Sequence, residues 1–396
     1  MLKFRNIILK ALCIAEVIIL LTGCSEGKSE LENQSSDSTT ICEGLPTGGK
    51  SYSDKGIISF ERGIAYFTDS DTNIRMPICT KLNCSHEGRS LSNLDPECDA
   101  YLAEGVHCAA IIDNYLYYVI VPDDGDYRTK EFYRSNTDGT DRELIYRAEE
   151  AGVFNYGAYE GGFMVYVYYN DTDSMGDKLE KNRMGIYLLN LEKEEMIHIS
   201  VNDEYNGKIL VATVDNNKVY YMESYYKENL NDLSYDSLSS TDKTSYMESA
   251  IATEILSYDI ETKEKEIIDE GGYKKGMYKM AFGYLLSGND NNSSFCLKKL
   301  ESGNCYEIEG VELSDYGCYL AADGAYFFKK GNIKYWEYKT ERIKDLVNLD
   351  VKHIVLFYVG QKNVICGLED DSGYRTVCCN KDRLMNGIIE YEDIDL

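Results

Sequence analysis

Three cysteines and a histidine stand close together in Cys79-Thr80-Lys81-Leu82-Asn83-Cys84-Ser85-His86 and, twelve residues on, Cys98. Thiolates and imidazole are the ligands zinc prefers, and four of them complete a tetrahedral set. Cys84 and His86 are two apart, so in extended chain both side chains leave on one side. Cys-x4-Cys is at the loose end of zinc spacing, however, and the last ligand lies across an irregular stretch. A disulfide, Cys79 with Cys84 or either with Cys98, asks only that two α-carbons come within about 7 Å. A disulfide is therefore the first expectation for this set, with a zinc site and unpaired thiols as equal alternatives. In each case the expected role is structural, the pinning of a long loop.

Carboxylates form the second group. Asp69 and Asp71, then Asp123, Asp124 and Asp126, then Asp171, Asp173 and Asp177, then Asp290, then Glu369, Asp370 and Asp371 all fall between apolar runs. Lys329 and Lys330 interrupt the trend. The plain expectation is solvated loops on an acidic protein. The functional alternative is a ring that recruits calcium or a basic peptide. Asp171-Thr172-Asp173-Ser174-Met175-Gly176-Asp177 is a poor calcium loop, because Met175 takes a ligand position and no glutamate closes it.

Catalysis finds little support. None of the four histidines (His86, His107, His198, His353) belongs to a nucleophile–base arrangement, and no phosphate-binding glycine loop or metalloprotease helix appears. The vicinal Cys378-Cys379 pair reads as strand packing, and His198 as a partly buried structural histidine. A glycosidase working through two carboxylates remains the alternative among so many acidic residues. No cofactor is expected beyond calcium or zinc at the two groups above.

A basic start (Lys3, Arg5, Lys10) leads into the mostly apolar run Ala11–Leu21, interrupted by Glu16, and then Thr22-Gly23-Cys24. The run is short for a membrane span and suits a signal-peptide core. The segment resembles a bacterial lipoprotein signal with its lipobox. That resemblance implies removal of residues 1–23 and a diacylglyceryl group on Cys24. The implied location is the extracytoplasmic face of the cell membrane, with the bilayer as partner. Residues 24–51 are rich in Ser, Glu, Gly and Thr and read as a flexible linker.

The chain carries a formal net charge of -27. Residues 1–23 hold three basic and one acidic side chain, so the remainder sits near -29. Such a surface repels phosphate backbones, which excludes nucleic acid as an expected partner. It also leaves membrane anchoring to the acyl chains, each buried methylene contributing about 0.8 kcal/mol. The 35 tyrosines suit half-buried sheet surfaces, and only four prolines interrupt the chain. Without Cys13 and Cys24, eleven of the 13 cysteines remain, so one at least has no partner within the chain.

The elements that must position these residues repeat. A short turn precedes an aromatic or β-branched run seven times: Arg62-Gly63, Asp113-Asn114, Gly161-Gly162, Asn216-Asn217, Phe282-Gly283, Asp323-Gly324 and Gln361-Lys362. Asn, Asp and Gly tolerate the positive φ of tight hairpins. A second pattern of strand, polar turn and return strand follows each. Examples are Phe132–Gly139 before Glu143–Tyr146 and Ile186–Lys193 before Met196–Ile199. In this alignment Cys79 falls where Asn136, Asn190 and Asp259 stand, at the edge of the second hairpin's turn. Two hairpins make a four-stranded antiparallel sheet, and stacking such sheets around an axis buries their faces. The expected fold is an all-β propeller over residues 52–396, with seven blades, or six or eight as alternatives. The acidic groups above would then share the face that carries the second-to-third-strand loops.

Tyr133-Arg134-Ser135-Asn136-Thr137-Asp138-Gly139-Thr140 resembles the repeat of TolB-like and low-density-lipoprotein-receptor-like β-propeller domains. The resemblance spans about residues 52–390, and later units lack its Asp-Gly turn. It implies a ligand-binding or scaffolding domain without a fixed catalytic motif, and the chain is expected to be a monomer. The leading expectation is a binding module for a peptide, glycan or partner protein. A propeller-type carbohydrate-active enzyme, glycosidase or lyase, is the alternative.

Overall fold

The computed structural model describes residues 41–42, 50–88, 90, 97–102, 106–122, 129–149, 152–172, 178–201, 207–226, 239, 251–271, 276–289, 294–312, 316–388 and 390–394. All of them belong to the unit Ser38–Leu396. The segments rich in Tyr, Val and Ile form strands whose inner members are buried on both faces. Phe163 to Tyr168 are all buried, for example. That pattern follows from stacking: each sheet is covered by a neighbour on either side, so the residues of both faces are removed from water. Only the outermost strands, such as Arg342–Asn348, expose most of their residues.

The strands group into seven four-stranded antiparallel sheets in a ring, a seven-bladed β-propeller. Blade 1 is Ser51–Ser53, Gly56–Glu61, Ile64–Asp69 and Arg75–Pro77. Blade 2 is Val106–Ile112, Tyr115–Ile120, Lys130–Asn136 and Glu143–Ala148. Blade 3 is Val153–Glu160, Phe163–Thr172, Lys178–Asn190 and Glu195–Ser200. Blade 4 is Gly207–Asp215, Lys218–Tyr226, Ile251–Asp259 and Lys265–Gly271. Blade 5 is Gly276–Ala281, Tyr284–Asn289, Ser294–Lys299 and Cys305–Glu312. Blade 6 is Gly317–Ala321, Gly324–Lys329, Asn332–Glu337 and Arg342–Asn348. Blade 7 is His353–Val359, Asn363–Asp370, Gly373–Asn380 and Tyr391–Ile394. The first strand of each blade contacts the first strands of its neighbours, so these seven surround the axis. A single helical turn, Lys381–Met385, stands before the last strand and is capped by the Asn380 side chain.

Six of the seven turns expected to join first to second strands fall there. Four of the six use left-handed backbone, as at Asn216 (φ 48°) and Asn217 (φ 62°), whereas Asp323-Gly324 and Gln361-Lys362 turn without it. Blade 1 differs. Its first-to-second turn is Asp54-Lys55, and Arg62-Gly63 joins the second strand to the third. Arg62 (φ 51°) and Gly63 (φ 79°) have the same local geometry as the other turns. Turn chemistry therefore marks a hairpin without saying which hairpin of the blade it is.

The ring closes between blades 7 and 1, each built from one end of the described chain. The Asp54 carboxylate accepts the backbone N–H groups of Gln361, Lys362 and Asn363 at 2.8, 3.2 and 3.1 Å. Below that latch Tyr52, Ile57, Tyr358, Ile365, Cys378 and Ile394 pack together, with Phe357 stacked on Tyr52. A further short strand, Ile41–Cys42, pairs with Ser51 and Tyr52 on one side and Gly157 and Ala158 on the other. It links the inner strands of blades 1 and 3 into one hydrogen-bonded sheet.

Candidate functional site

The outer edge of blade 1 is made of two separate pieces. Arg75–Pro77 pairs with Tyr66 to Thr68, and Ile78 N–H donates to Ala65 O at 2.9 Å. The chain then leaves the sheet and returns at residues 100–102. There Ala65 N–H donates to Ala100 O at 2.8 Å, Leu102 N–H donates to Gly63 O at 3.0 Å, and Tyr101 bridges Ile64. Ile78, Cys98, Ala100 and Leu102 are buried against Ile64 and Ala65 of blade 1 and Ala109, Ile111 and Leu116 of blade 2. The excursion thus fills the seam between the two blades.

Blade 2 receives it on its third-to-fourth-strand turn. Gly139 there has φ +84°, and a Cβ would lie 2.6 Å from Asp99 O and 2.7 Å from Ile78 O. Only glycine lets the turn seat against both ends of the excursion at once. Arg142 donates to Asp99 O beside it.

At the root of the excursion the structure brings together Cys79, Cys84, His86 and Cys98. Their ligand atoms all lie within 4.8 Å of one another, and His86 Nδ1 is 3.5 Å from Cys98 Sγ. All three cysteines are free thiols in this structure. Asn83 (φ 61°) and His86 (φ 51°) take left-handed backbone, which curls the chain around the cluster. Burial pushes the Cys98 thiol up to about 12, although the N–H of Ala100 points at its sulfur. Burial also opposes ionisation of Cys79, but there the N–H donors of Lys81 and Asp99 and the neighbouring thiols prevail, and its pKa falls below the ordinary value. Lys81 carries a positive charge next to the group and pairs with Asp99 at 2.8 Å. Three sulfurs and one imidazole nitrogen at this separation can hold a four-coordinate metal ion with no ligand position left open.

In this register Cys79 follows the fourth strand. The residues that correspond to Asn136, Asn190 and Asp259 are Asp69 and its turn. Asp69 accepts the N–H of Asp71 and Thr72 as Asp259 accepts those of Glu261 and Thr262. Asp69 and Asp71 therefore lie in a third-to-fourth-strand turn, at the opposite end of the sheet from the face expected for them. The displacement comes from the additional hairpin turn at Asp54-Lys55, which makes Arg62-Gly63 the second-to-third connection. Asp370 and Asp371 do lie in a second-to-third-strand turn, paired with Arg375 at 2.7 Å and Lys352 at 2.8 Å. Asp171 is the last residue but one of the second strand of blade 3, next to the corresponding loop. Asp123, Asp124, Asp126, Asp173, Asp177 and Asp290 lie outside the described residues, as does Cys24.

His198 accepts or donates a 2.6 Å hydrogen bond with Tyr168 Oη and stacks on Tyr187, which ties it into the packing of blade 3. Two features escape a reading of the sequence. Glu160 is fully buried at the seam of blades 3 and 4. It accepts from Thr213 Oγ1 and from Val214 N–H at 2.9 Å, and burial raises its pKa to about 8. Nothing local marks it, because its partners come from the next blade. Cys296 and Cys305 form a disulfide across the third and fourth strands of blade 5. Their places on either side of the turn at Gly303 were a legible signal.

No helix among the described residues is long and apolar enough to cross a membrane. No protein-family profile matches the chain. No curated protein matches it in sequence. Among solved structures, it is similar to an oligogalacturonate lyase from Vibrio parahaemolyticus. The identity is 14%, over 71% of this chain and 74% of that one, with a TM-score of 0.43. It is also similar to the β-propeller domain of the Trilobed protease from Pyrococcus furiosus, described as having an open velcro topology. The identity there is 10%, over 91% of this chain and 98% of that one, with a TM-score of 0.46.

Proposed function

We propose that the protein is an extracytoplasmic lipoprotein, held at the membrane through acylated Cys24, whose propeller binds a peptide or protein partner that presents basic residues. The observation that carries this reading is the contrast between the two ends of the blades. At one end every first-to-second connection is a short turn. At the other, the second-to-third connections range from Arg62-Gly63 in blade 1 to residues 227–250 in blade 4. A rigid frame with one variable rim is the arrangement in which loops carry recognition. The net charge of -27 and the acidic residues in several of these connections favour a cationic partner. The Cys296–Cys305 disulfide is in keeping with an oxidising compartment.

Two measurements test the reading. The first is the mass of the mature N-terminal peptide and the membrane fractionation of a Cys24→Ala variant; an unmodified, uncleaved Cys24 overturns the anchor. The second titrates a fluorescent lysine-rich peptide against the protein and against a variant with Asp123, Asp124, Asp171 and Asp173 changed to Asn. The parent is expected to bind more tightly, with an advantage that shrinks as salt shortens the screening length to about 8 Å. Equal affinity at low and high salt would reduce the acidic rim to solvated surface.

A further inference from the structure

We infer that Cys79, Cys84, His86 and Cys98 form a closed zinc(II) site that staples the interrupted outer edge of blade 1 and seats it against blade 2. Three thiolates and one imidazole suit zinc, whereas calcium and magnesium take oxygen ligands. Iron–sulfur clusters are held by four cysteines in most cases. Zinc bound to this set has Zn–S bonds of about 2.3 Å and a Zn–N bond of about 2.0–2.1 Å. Tetrahedral angles then separate sulfur from nitrogen by about 3.6 Å and sulfur from sulfur by about 3.8 Å. The 3.5 Å between Cys98 Sγ and His86 Nδ1 matches such a shell, and since all four donors lie within 4.8 Å of one another, shifts of about 1 Å or less draw them around one ion.

The surroundings are those of a metal thiolate. Backbone N–H groups two residues on, from Lys81 and Ala100, point at Cys79 and Cys98, and Asp99 adds a second donor to Cys79. Hydrogen bonds of this kind orient sulfur ligands and offset their charge. Zinc with three thiolates and a neutral imidazole has a net charge of -1, and Lys81 stands next to it. A disulfide between any two of these cysteines would leave one thiol and the imidazole without a role.

Topology supplies the purpose. Cys79 is the residue after the last one that pairs on the way out, Ile78, and Cys98 stands two before the first that pairs on return, Ala100. A metal bound to both closes the excursion at its neck, so the cost of ordering the residues between is carried by coordination instead of a continuous strand. All four donors come from the chain, which leaves no position for water or substrate. The site is therefore structural. Uptake of zinc displaces the protons of those thiols still protonated, so binding weakens as pH falls.

The test uses the full chain, purified in detergent without chelator. Zinc content is read by elemental analysis after dialysis, and cobalt(II) is then exchanged into the site. Stoichiometric zinc and a thiolate-to-cobalt charge-transfer band with tetrahedral d–d bands are expected. In a His86→Ala variant, which keeps the three thiols, metal affinity is expected to fall by more than the roughly 10–100-fold that loss of an outer-shell partner costs. In His353→Ala, a histidine remote from the cluster, it is expected to stay unchanged. Should Cys98→Ser fail to fold, alkylation of Cys79, Cys84 and Cys98 in the unaltered protein, with and without chelator, gives the same answer. Thiols that react equally in both cases overturn the site. So does a disulfide among the three in non-reduced peptide maps, or a protein with neither zinc nor a cobalt spectrum.

Discussion

At its seam with blade 7, blade 1 uses its inner hairpin turn; at its outer seam with blade 2 it uses Ile78, Cys98, Ala100 and Leu102. The first seam needs one carboxylate, Asp54, which gathers three backbone N–H groups above a small apolar cluster. Lys55 reaches the other way from the same turn and donates to Asp113 O of blade 2 at 2.7 Å. The second seam needs a whole excursion of chain, four thiol and imidazole donors and a glycine on the facing turn. The difference is a matter of radius. Blades diverge outward from the axis, so side chains span the gap near the centre, while the rim has to be filled with backbone. Inserted backbone brings polar groups and conformational entropy with it, and it has to be tied down.

The largest expected effect breaks the rim seam. Removing zinc with a chelator should cost about 3–5 kcal/mol, on the scale of losing a disulfide that closes a loop of this size. Hydrogen exchange should then accelerate at residues 97–102 while the inner strands of blades 4–6 keep their protection. Uniform loss of protection would mean that the cluster holds the whole ring rather than one seam.

A third seam sharpens the comparison. Between blades 3 and 4 the device is the single buried carboxyl of Glu160, with its pKa raised from 4.5 to about 8. The folded form binds this proton more tightly than the unfolded form. Its stabilisation is therefore complete below about pH 4.5 and is lost as pH rises through about 8. Glu160→Gln should remove that dependence. The variant is expected to be more stable than the parent by about 4 kcal/mol at pH 8, and by less than about 1 kcal/mol at pH 5. Parallel stability curves from pH 5 to pH 9 would show that Glu160 does not hold its proton.

The smallest expected effect breaks the inner seam. Asp54→Ala should cost about 2 kcal/mol, because the three N–H groups it frees lie partly within reach of water. Asp54→Asn should recover part of this through its remaining oxygen. Denaturant midpoints measure both, and a loss larger than that from chelation would reverse the ranking of the seams.

The local half of this design is legible in the chain. Alternating Tyr, Val and Ile with Asn, Asp and Gly turns specify hairpins, because side-chain direction and positive φ are set within a few residues. Asn216-Asn217 and Gly161-Gly162 are read correctly for that reason. Which hairpin is inner is a different kind of question. Arg62-Gly63 obeys the same local rule as Asp113-Asn114, yet its place in the blade depends on Ser51–Ser53 finding the axis beside blades 7 and 2. One hairpin's displacement carried Asp69 and Asp71 to the other end of the sheet. Glu160 and Asp54 are silent in the sequence, since their partners stand in neighbouring blades.

Composition and local pattern specify an all-β chain of paired hairpins with an acidic surface, and they place three cysteines and a histidine within twenty residues. Those properties rest on composition and short-range geometry. Only the tertiary structure decided which turn of blade 1 faces the axis, and that Cys79 and Cys98 stand at the neck of one excursion. Both depend on contacts between residues distant in sequence, and no local preference encodes those contacts.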